Sequence, residues 1–148
     1  MTVKAIPEGY HALTPGMNVK GADKAIEFYK KVFGAEEKMK MAAPDGTVMH
    51  CEMKIGDSIF MIGESIRMEP HAMHCMIYVK DCDATFKKAI DAGATEKAPL
   101  ADMFWGDRAG RVADAWGNTW YIATHKEDVP QAELEKRAMA MMSGNQPA

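Results

Sequence analysis

The chain of 148 residues is long enough to bury one hydrophobic core, and its 47% hydrophobic and 26% charged residues argue against disorder. The net charge of −3, with no run of basic residues, excludes the strong positive field that binds nucleic acid or anionic membrane surfaces. No stretch approaches the ~20 consecutive apolar residues of a membrane-spanning helix.

The N-terminus and the cysteines predict a soluble cytoplasmic protein. Residues 1–9 include polar and charged residues and lack the apolar centre of a signal peptide. Cys51, Cys75 and Cys82 cannot all pair with one another, and none shows Cys-x-x-Cys spacing. They are typical of small hydrophobic residues in a reducing compartment.

An internal repeat organises the chain. Residues 19–23 (VKGAD) recur as residues 79–83 (VKDCD), and each copy is followed by apolar residues at three- and four-residue intervals. Both periodic segments stop at a glycine, Gly34 and Gly93, as helices often do. We therefore predict one helix at the same place in each of two modules.

Strands and turns follow each predicted helix. The pairs Gly56-Asp57 and Gly117-Asn118 each separate two strand-like runs, as a tight hairpin turn does. The runs before these turns are 48–55 and roughly 104–112. Each module thus reads βαβββ, and the fold class is α+β: two tandem βαβββ modules, about 8–66 and 72–126, in a single domain over 1–148.

Alternate strand residues divide into an apolar row, expected beneath the helices, and a second row of different character. In strand 47–55 the apolar row is Met49, Cys51, Met53 and Ile55, and the second row is Val48, His50, Glu52 and Lys54. A solvated outer face would explain the second rows simply. We favour a concave ligand cavity, because these rows also include Phe60, His74, Met76, Tyr78 and Tyr121.

These features resemble the vicinal oxygen chelate superfamily, which includes glyoxalase I, extradiol dioxygenases, fosfomycin-resistance enzymes and bleomycin-binding proteins. The resemblance rests on the paired modules, on the helix residues 25–29 (AIEFY) and on 114–120 (DAWGNTW), and it covers nearly all of 7–128. Segments 48–52 (VMHCE), 104–108 (FWGDR) and 122–128 (IATHKED) resemble its PhnB-like branch.

The resemblance implies a cavity in which the family's enzymes hold a divalent metal on the first and fourth strands of each module. Carried over by the helix and turn motifs, those positions are Thr14, Phe60, His74 and Tyr121. Of these, only His74 is a good metal ligand, whereas catalytic sites need ~3 protein ligands. We therefore expect no metal or other cofactor. A divalent metal at His50, Glu52 and His74 is the alternative.

Two further groups are candidates for chemistry. His50 and Glu52 are candidate catalytic residues as a general acid/base pair, although a plain ion pair on the sheet is the slightly favoured explanation. Trp105 and Arg108 lie in the predicted third strand of the second module, where Arg108 would hold an anion if it faces the cavity. Asp107 would neutralise it otherwise.

A last helix is predicted at about 130–142, with Leu134, Ala138, Met141 and Met142 along one stripe. Burying such side chains contributes roughly 1.5–3 kcal/mol each, so we expect the stripe to pack on the sheet or on a partner subunit. A homodimer is the expected assembly, as the resemblance implies.

The leading interpretation is a metal-independent protein that binds a small organic ligand, with neither nucleic acid nor membrane as a partner. The predicted ligand-binding residues are Thr14, His50, Glu52, Phe60, His74, Met76, Tyr78, Trp105, Arg108 and Tyr121. The alternatives are a metal-dependent lyase, isomerase or dioxygenase and a purely structural dimer. Whether the protein is an enzyme stays open at this stage.

Overall fold

The computed structural model describes residues 3–66 and 68–144. Its residues form two compact units, residues up to Met73 together with Asp114–Asn118, and His74–Ala113 together with the residues from Thr119 onward. The elements of the first unit are β1 (Gly16–Val19), α1 (Ala22–Phe33), β2 (Glu36–Ala42), β3 (Val48–Ile55) and β4 (Ser58–Glu64). Those of the second are β5 (His74–Tyr78), α2 (Cys82–Asp91), β6 (Thr95–Asp102), β7 (Asp107–Ala113), β8 (Thr119–His125) and α3 (Gln131–Met142).

The predicted α+β fold of two βαβββ modules with a C-terminal helix is confirmed. Each unit contains one four-stranded sheet, of order β1-β4-β3-β2 in the first and β5-β8-β7-β6 in the second. The first strand of each sheet pairs in parallel with the fourth, and the remaining pairs are antiparallel.

Helix α1 is held at both ends. Gly21, which precedes it, has no capping side chain, so the carboxylate of Glu64 on β4 accepts hydrogen bonds from the amides of Gly21 and Ala22, at 2.8 Å for Ala22. A carboxylate at this end is favoured by the helix dipole. At the other end Gly34 adopts φ 66°, and its amide bonds back to the last turn.

The core of the first unit lies between α1 and its sheet. Tyr29 is fully buried, and its ring meets that of Phe60 edge-on with centroids 5.6 Å apart. Its hydroxyl donates to the Asp114 carboxylate at 2.6 Å, and the Asn118 amide donates to that hydroxyl at 3.2 Å. The loop 114–118 therefore forms part of this core.

In the second unit α2 packs on β6, β7 and β8. The Asp81 side chain caps its start by accepting from the Ala84 amide at 3.1 Å. Gly110 on β7 lies beneath the helix, where an added Cβ would be 2.6 Å from the Phe86 ring. The same strand face carries Arg108, which makes a two-pronged ion pair with Asp83 at the start of α2.

Helix α3 has no buried residue, and Met139 and Met142 are exposed. It is attached through Arg137, which pairs with Glu127 and donates to the Phe104 carbonyl at 3.2 Å. Arg137 also pairs with Glu133 within the helix. Within the described residues, no helix is long and apolar enough to cross a membrane.

The apolar row predicted for β3 is wrong at Met49, which is exposed, while Val48 is buried. A bulge explains the exchange: Met41 faces His50, whereas the next residue of β2, Ala42, faces Val48, which leaves Met49 without a partner. An extra residue in one strand reverses the facing of those beyond it. The predicted strand 104–112 likewise starts later, at Asp107.

Gly106, which precedes β7, is packed against the chain that leads to α3. Its carbonyl accepts from the amides of Lys126 and Glu127, its φ is 101°, and an added Cβ would lie 2.1 Å from the Glu127 carbonyl oxygen. Gly56, in the turn between β3 and β4, also has a positive φ but has open space around it.

The substitution Gly106→Ala should lower the free energy of unfolding by ~3 kcal/mol or more, because backbone atoms must separate and the left-handed conformation is strained. Gly56→Ala, the matched control, should cost only about 1–2 kcal/mol, since it introduces the conformational strain alone. Urea unfolding followed by circular dichroism measures both. Equal losses would contradict the close packing of Gly106.

Candidate functional site

In each unit the sheet face opposite the helix, called here the open face, carries the side chains that α1 or α2 does not cover. The pairing of Glu52 on β3 with Met61 on β4 places both on the open face of the first unit, since directly opposed residues share a face. Gly16 of β1 pairs with Met61 and continues the row. Because α1 packs on the opposite face, the side chains of this open face can contact a ligand.

A cavity of about 510 Å³ lies on the open face of the first unit. Thr14, Glu52 and Met61 line it, together with six residues of the segment 5–12, called here the covering segment: Ala5, Ile6, Pro7, Tyr10, His11 and Ala12. Most of this lining is apolar, with Ile6, Pro7 and Met61 among the wall residues. Volumes of ~300–1,000 Å³ with few polar groups are typical of small-molecule sites.

Glu52 is the polar centre of this first-unit cavity. Its side chain is 13% exposed, and its Oε1 accepts a hydrogen bond from the Tyr10 hydroxyl of the covering segment. This hydrogen bond raises the pKa of Tyr10 above its usual value, since it stabilises the protonated phenol beside a carboxylate. The other oxygen, Oε2, is 3.9 Å from Nε2 of His50.

The structure places Phe60 in the core against Tyr29, and Met61 takes the place on the open face. The two modules differ by one residue here, because Met61 lies five residues after the turn glycine Gly56, whereas Tyr121 lies four residues after Gly117. Matching the glycine turns pairs Phe60 with Tyr121. Strand pairing instead matches Met61 with Tyr121, since their partners are Gly16 and Met76.

The open face of the second unit carries His74, Met76 and Tyr78 on β5 and Tyr121 on β8, as pairing across these strands requires. His74 Nδ1 lies 3.0 Å from the Thr119 hydroxyl, and its ring meets that of Tyr121 at 6.4 Å. The centroid of the Trp105 ring lies 6.5 Å from that of the Tyr121 ring. Five of the predicted residues thus lie on or beside this open face: His74, Met76, Tyr78, Trp105 and Tyr121.

Asp107 is the most connected polar side chain of this open face, although it is almost fully buried. Its carboxylate accepts from Tyr78 and from the Trp105 indole, both at 2.9 Å, and meets His125 Nδ1 at 2.8 Å. Burial alone would raise the pKa of Asp107, but these three hydrogen bonds hold it below its usual value. His125 also reaches Asp128 at 2.7 Å.

The two arginines of β7 face opposite ways. Arg108 points to the helix side, where Asp83 and Asp102 neutralise it. Arg111 lies on the open face opposite Tyr121, and its Nε is buried without a hydrogen-bond partner among the described residues. A buried N–H donor of this kind needs an acceptor. Arg111 is therefore the side chain of β7 that offers a donor to a ligand.

The donor side chains present decide whether this chain has a site for the metal that the resemblance implies. Within residues 3–66 and 68–144, no three His, Cys, Asp or Glu side chains lie close enough together to hold one ion. His50 and Glu52 belong to the first unit and His74 to the second. The positions carried over from the family include Phe60, which has no lone pair. These residues do not fit that metal site.

Sequence reasoning missed Tyr10, His11, Met61, Arg111 and His125. Strand alternation could have found the last two, because Arg111 and Asp107 share parity, and His125 shares that of Tyr121. The covering segment offered no such signal, since residues 5–12 form no helix or strand.

Replacing His125 by asparagine should destabilise the protein more at pH 5.5 than at pH 8.5. The hydrogen bond with Asp107 raises the pKa of His125, so its stabilisation is complete below the unfolded value near 6.5 and is lost as the pH rises through the folded value. The lowered pKa of Asp107 makes its own contribution constant over this range and lost only in stronger acid.

The measurement is the midpoint of thermal unfolding of wild type and variant at the two pH values. His71→Asn, at an exposed histidine of the first unit, is the control for the histidine-to-asparagine exchange itself. The same loss at both pH values for His125→Asn would contradict the charged bridge.

Comparison with known proteins gives a consistent picture. A model of the Glyoxalase/Bleomycin resistance protein/Dioxygenase superfamily matches residues 11–122. An uncharacterised protein of Mycobacterium bovis is 33% identical over 138 aligned residues, 84% of this chain and 90% of that protein. An uncharacterised protein of Arabidopsis thaliana is 29% identical over 127 aligned residues, which cover 75% of this chain and 76% of that protein.

Two solved structures extend this picture. TioX from Micromonospora sp. ML1 superposes with a TM-score of 0.62 at 25% identity, over 77% of this chain and 99% of that one. TnmS3, an antibiotic binding protein from Streptomyces sp. CB03234, superposes with a TM-score of 0.64 at 18% identity, over 84% of this chain and 100% of that one. At this identity the likeness shows the fold alone. With the family model covering most of its length, the chain belongs to the glyoxalase/bleomycin resistance protein/dioxygenase superfamily.

Proposed function

We propose that this protein binds a small organic molecule in the first-unit cavity. The observation that carries the proposal is the cavity itself, about 510 Å³ in volume, with a largely apolar lining that includes the Glu52 carboxylate. Apolar walls supply binding free energy, and a few polar groups fix the orientation of the ligand. The proposed contacts in this unit are Thr14, Glu52 and Met61, with His50 beside Glu52.

The covering segment supports the proposal. Its residues Ile6 and Pro7 lie over the open face, and Tyr10 ties the segment to Glu52. A ligand beneath it would be removed from water on two sides, by the sheet and by the segment. That arrangement favours retention of a ligand and requires no reacting group, so binding is proposed rather than catalysis.

The open face of the second unit supports a second contact surface of the same kind. Its aromatic side chains, Trp105 and Tyr121, lie beside His74 and the unpartnered Nε of Arg111. Aromatic rings with one free donor suit a planar organic group that carries an acceptor. We therefore keep His74, Met76, Tyr78, Trp105 and Tyr121 as proposed ligand contacts and omit Phe60 and Arg108.

The wider assignment is also part of the proposal. The name of TnmS3 states antibiotic binding for that protein, and its shared fold is compatible with ligand binding here. Membership of the PhnB-like branch and a homodimer are proposed on the sequence resemblance. A cytoplasmic location is proposed on the three free cysteines.

Filling the cavity tests the proposal. The probe is N-pentyl dansylamide, a neutral fluorophore whose emission rises in an apolar site. Met61→Trp should weaken its binding at least about tenfold, because the indole occupies the cavity that the ligand needs. Ala12→Trp gives the same test from the covering segment, where no strand is disturbed.

Met139→Trp, at an exposed position of α3, makes the same exchange outside the cavity lining and should leave binding unchanged. Circular dichroism at each step verifies that the variants are folded. If the wild type fails to bind the probe, or if both cavity variants bind it as the wild type does, the proposed site is wrong.

A further inference from the structure

We propose that the ligand of the first-unit cavity carries a positive charge, a protonated amine, which pairs with Oε2 of Glu52. This inference rests on the proposed function, since it names the class of molecule that the same cavity selects. Three features of the site support it: the charges of the cavity wall, the burial of Glu52 and the different contacts of its two carboxylate oxygens.

The cavity wall carries one carboxylate and no compensating lysine or arginine among the described residues. Its remaining polar groups are the Tyr10 hydroxyl, the His11 imidazole and the Thr14 hydroxyl. Lys54 follows Glu52 by two residues on the same row of β3 but does not line the cavity. A ligand that enters therefore meets a negative centre within apolar walls.

Glu52 is largely removed from water, with 13% of its side chain exposed. Burying a carboxylate without a cation is costly, and removal from water also strengthens its attraction for a cation that does approach. Among the described residues, the closest basic group is His50 Nε2 at 3.9 Å, which is beyond hydrogen-bond distance. A ligand ammonium would supply the missing partner.

The two oxygens of Glu52 are used differently. Tyr10 donates to Oε1, so the covering segment closes over the cavity without consuming the whole carboxylate. Oε2 is left facing His50 at a distance that a hydrogen bond does not span. An ammonium group at Oε2 can bind while the Tyr10 bond persists, and the Tyr10 ring offers it a further electrostatic contact.

Three dansyl probes of similar skeleton test the inference: dansylcadaverine (cationic), N-pentyl dansylamide (neutral) and N-dansyl-6-aminohexanoate (anionic). The wild type should bind dansylcadaverine roughly tenfold more tightly than the neutral probe and bind the anionic probe most weakly. Glu52→Gln should abolish the preference for the cation, because a neutral amide does not form an ion pair with the ammonium.

Glu69→Gln changes the net charge of the protein equally at an exposed position outside the cavity lining and should preserve the preference. The preference of the wild type should also decrease from 20 mM to 500 mM salt, a test that needs no variant. The Glu69→Gln control separates a specific ion pair from general attraction between protein and probe, and the salt dependence verifies that the preference is electrostatic.

The outcomes distinguish this inference from the proposed function. Equal binding of the cationic and neutral probes by wild type would overturn the inference while leaving the binding site in place. A preference that survives Glu52→Gln would place the cation elsewhere and also overturn it. Failure of all three probes to bind would contradict the proposed function itself.

Discussion

The burial of one face of each four-stranded sheet beneath its own helix is the constraint on which the rest of the structure depends. Side chains alternate between the two faces of a sheet, so every second residue of a strand lies beneath the helix, as Phe60 does beneath α1 and Gly110 beneath α2. The intervening residues, Met61 and Arg111 among them, are left for the open faces. Those faces are where binding chemistry can develop without loss of the core.

The two open faces have different characters because their polar groups are used differently. In the second unit Asp107 gathers three donors, an arrangement that fixes the ends of β5, β7 and β8 together. In the first unit Glu52 receives one donor among the described residues, from the covering segment, so its second oxygen stays available. A satisfied carboxylate organises structure, whereas a partly satisfied one in a cavity attracts a ligand.

Much of the fold could be predicted from the sequence, because local signals specify it. The helix periodicity, the glycine after α1 and the turn glycines mark the βαβββ order without reference to tertiary contacts. The errors arose where one residue is inserted. Met49 forms a bulge, and one extra residue between the turn glycine and the open-face position of β4 shifts Phe60 against Met61. A single-residue shift reverses the face of a side chain, and periodicity alone does not detect it.

The candidate site was less predictable than the fold because its parts come from segments without periodicity. Glu52 was found from strand alternation, but its partner Tyr10 lies more than forty residues earlier in an irregular segment. The role of Arg108 was misjudged for a related reason, since its partner Asp83 lies on a different element. Contacts of this kind depend on tertiary packing, which a strand pattern does not encode.

A crystal structure of the protein with dansylcadaverine bound tests the central claim most directly. The account predicts the dansyl group against Met61 beneath the covering segment, with the ammonium nitrogen within hydrogen-bond distance of Oε2 of Glu52. Density for the probe outside this cavity, or within it but with the amine directed away from Glu52 into solvent, would contradict the account.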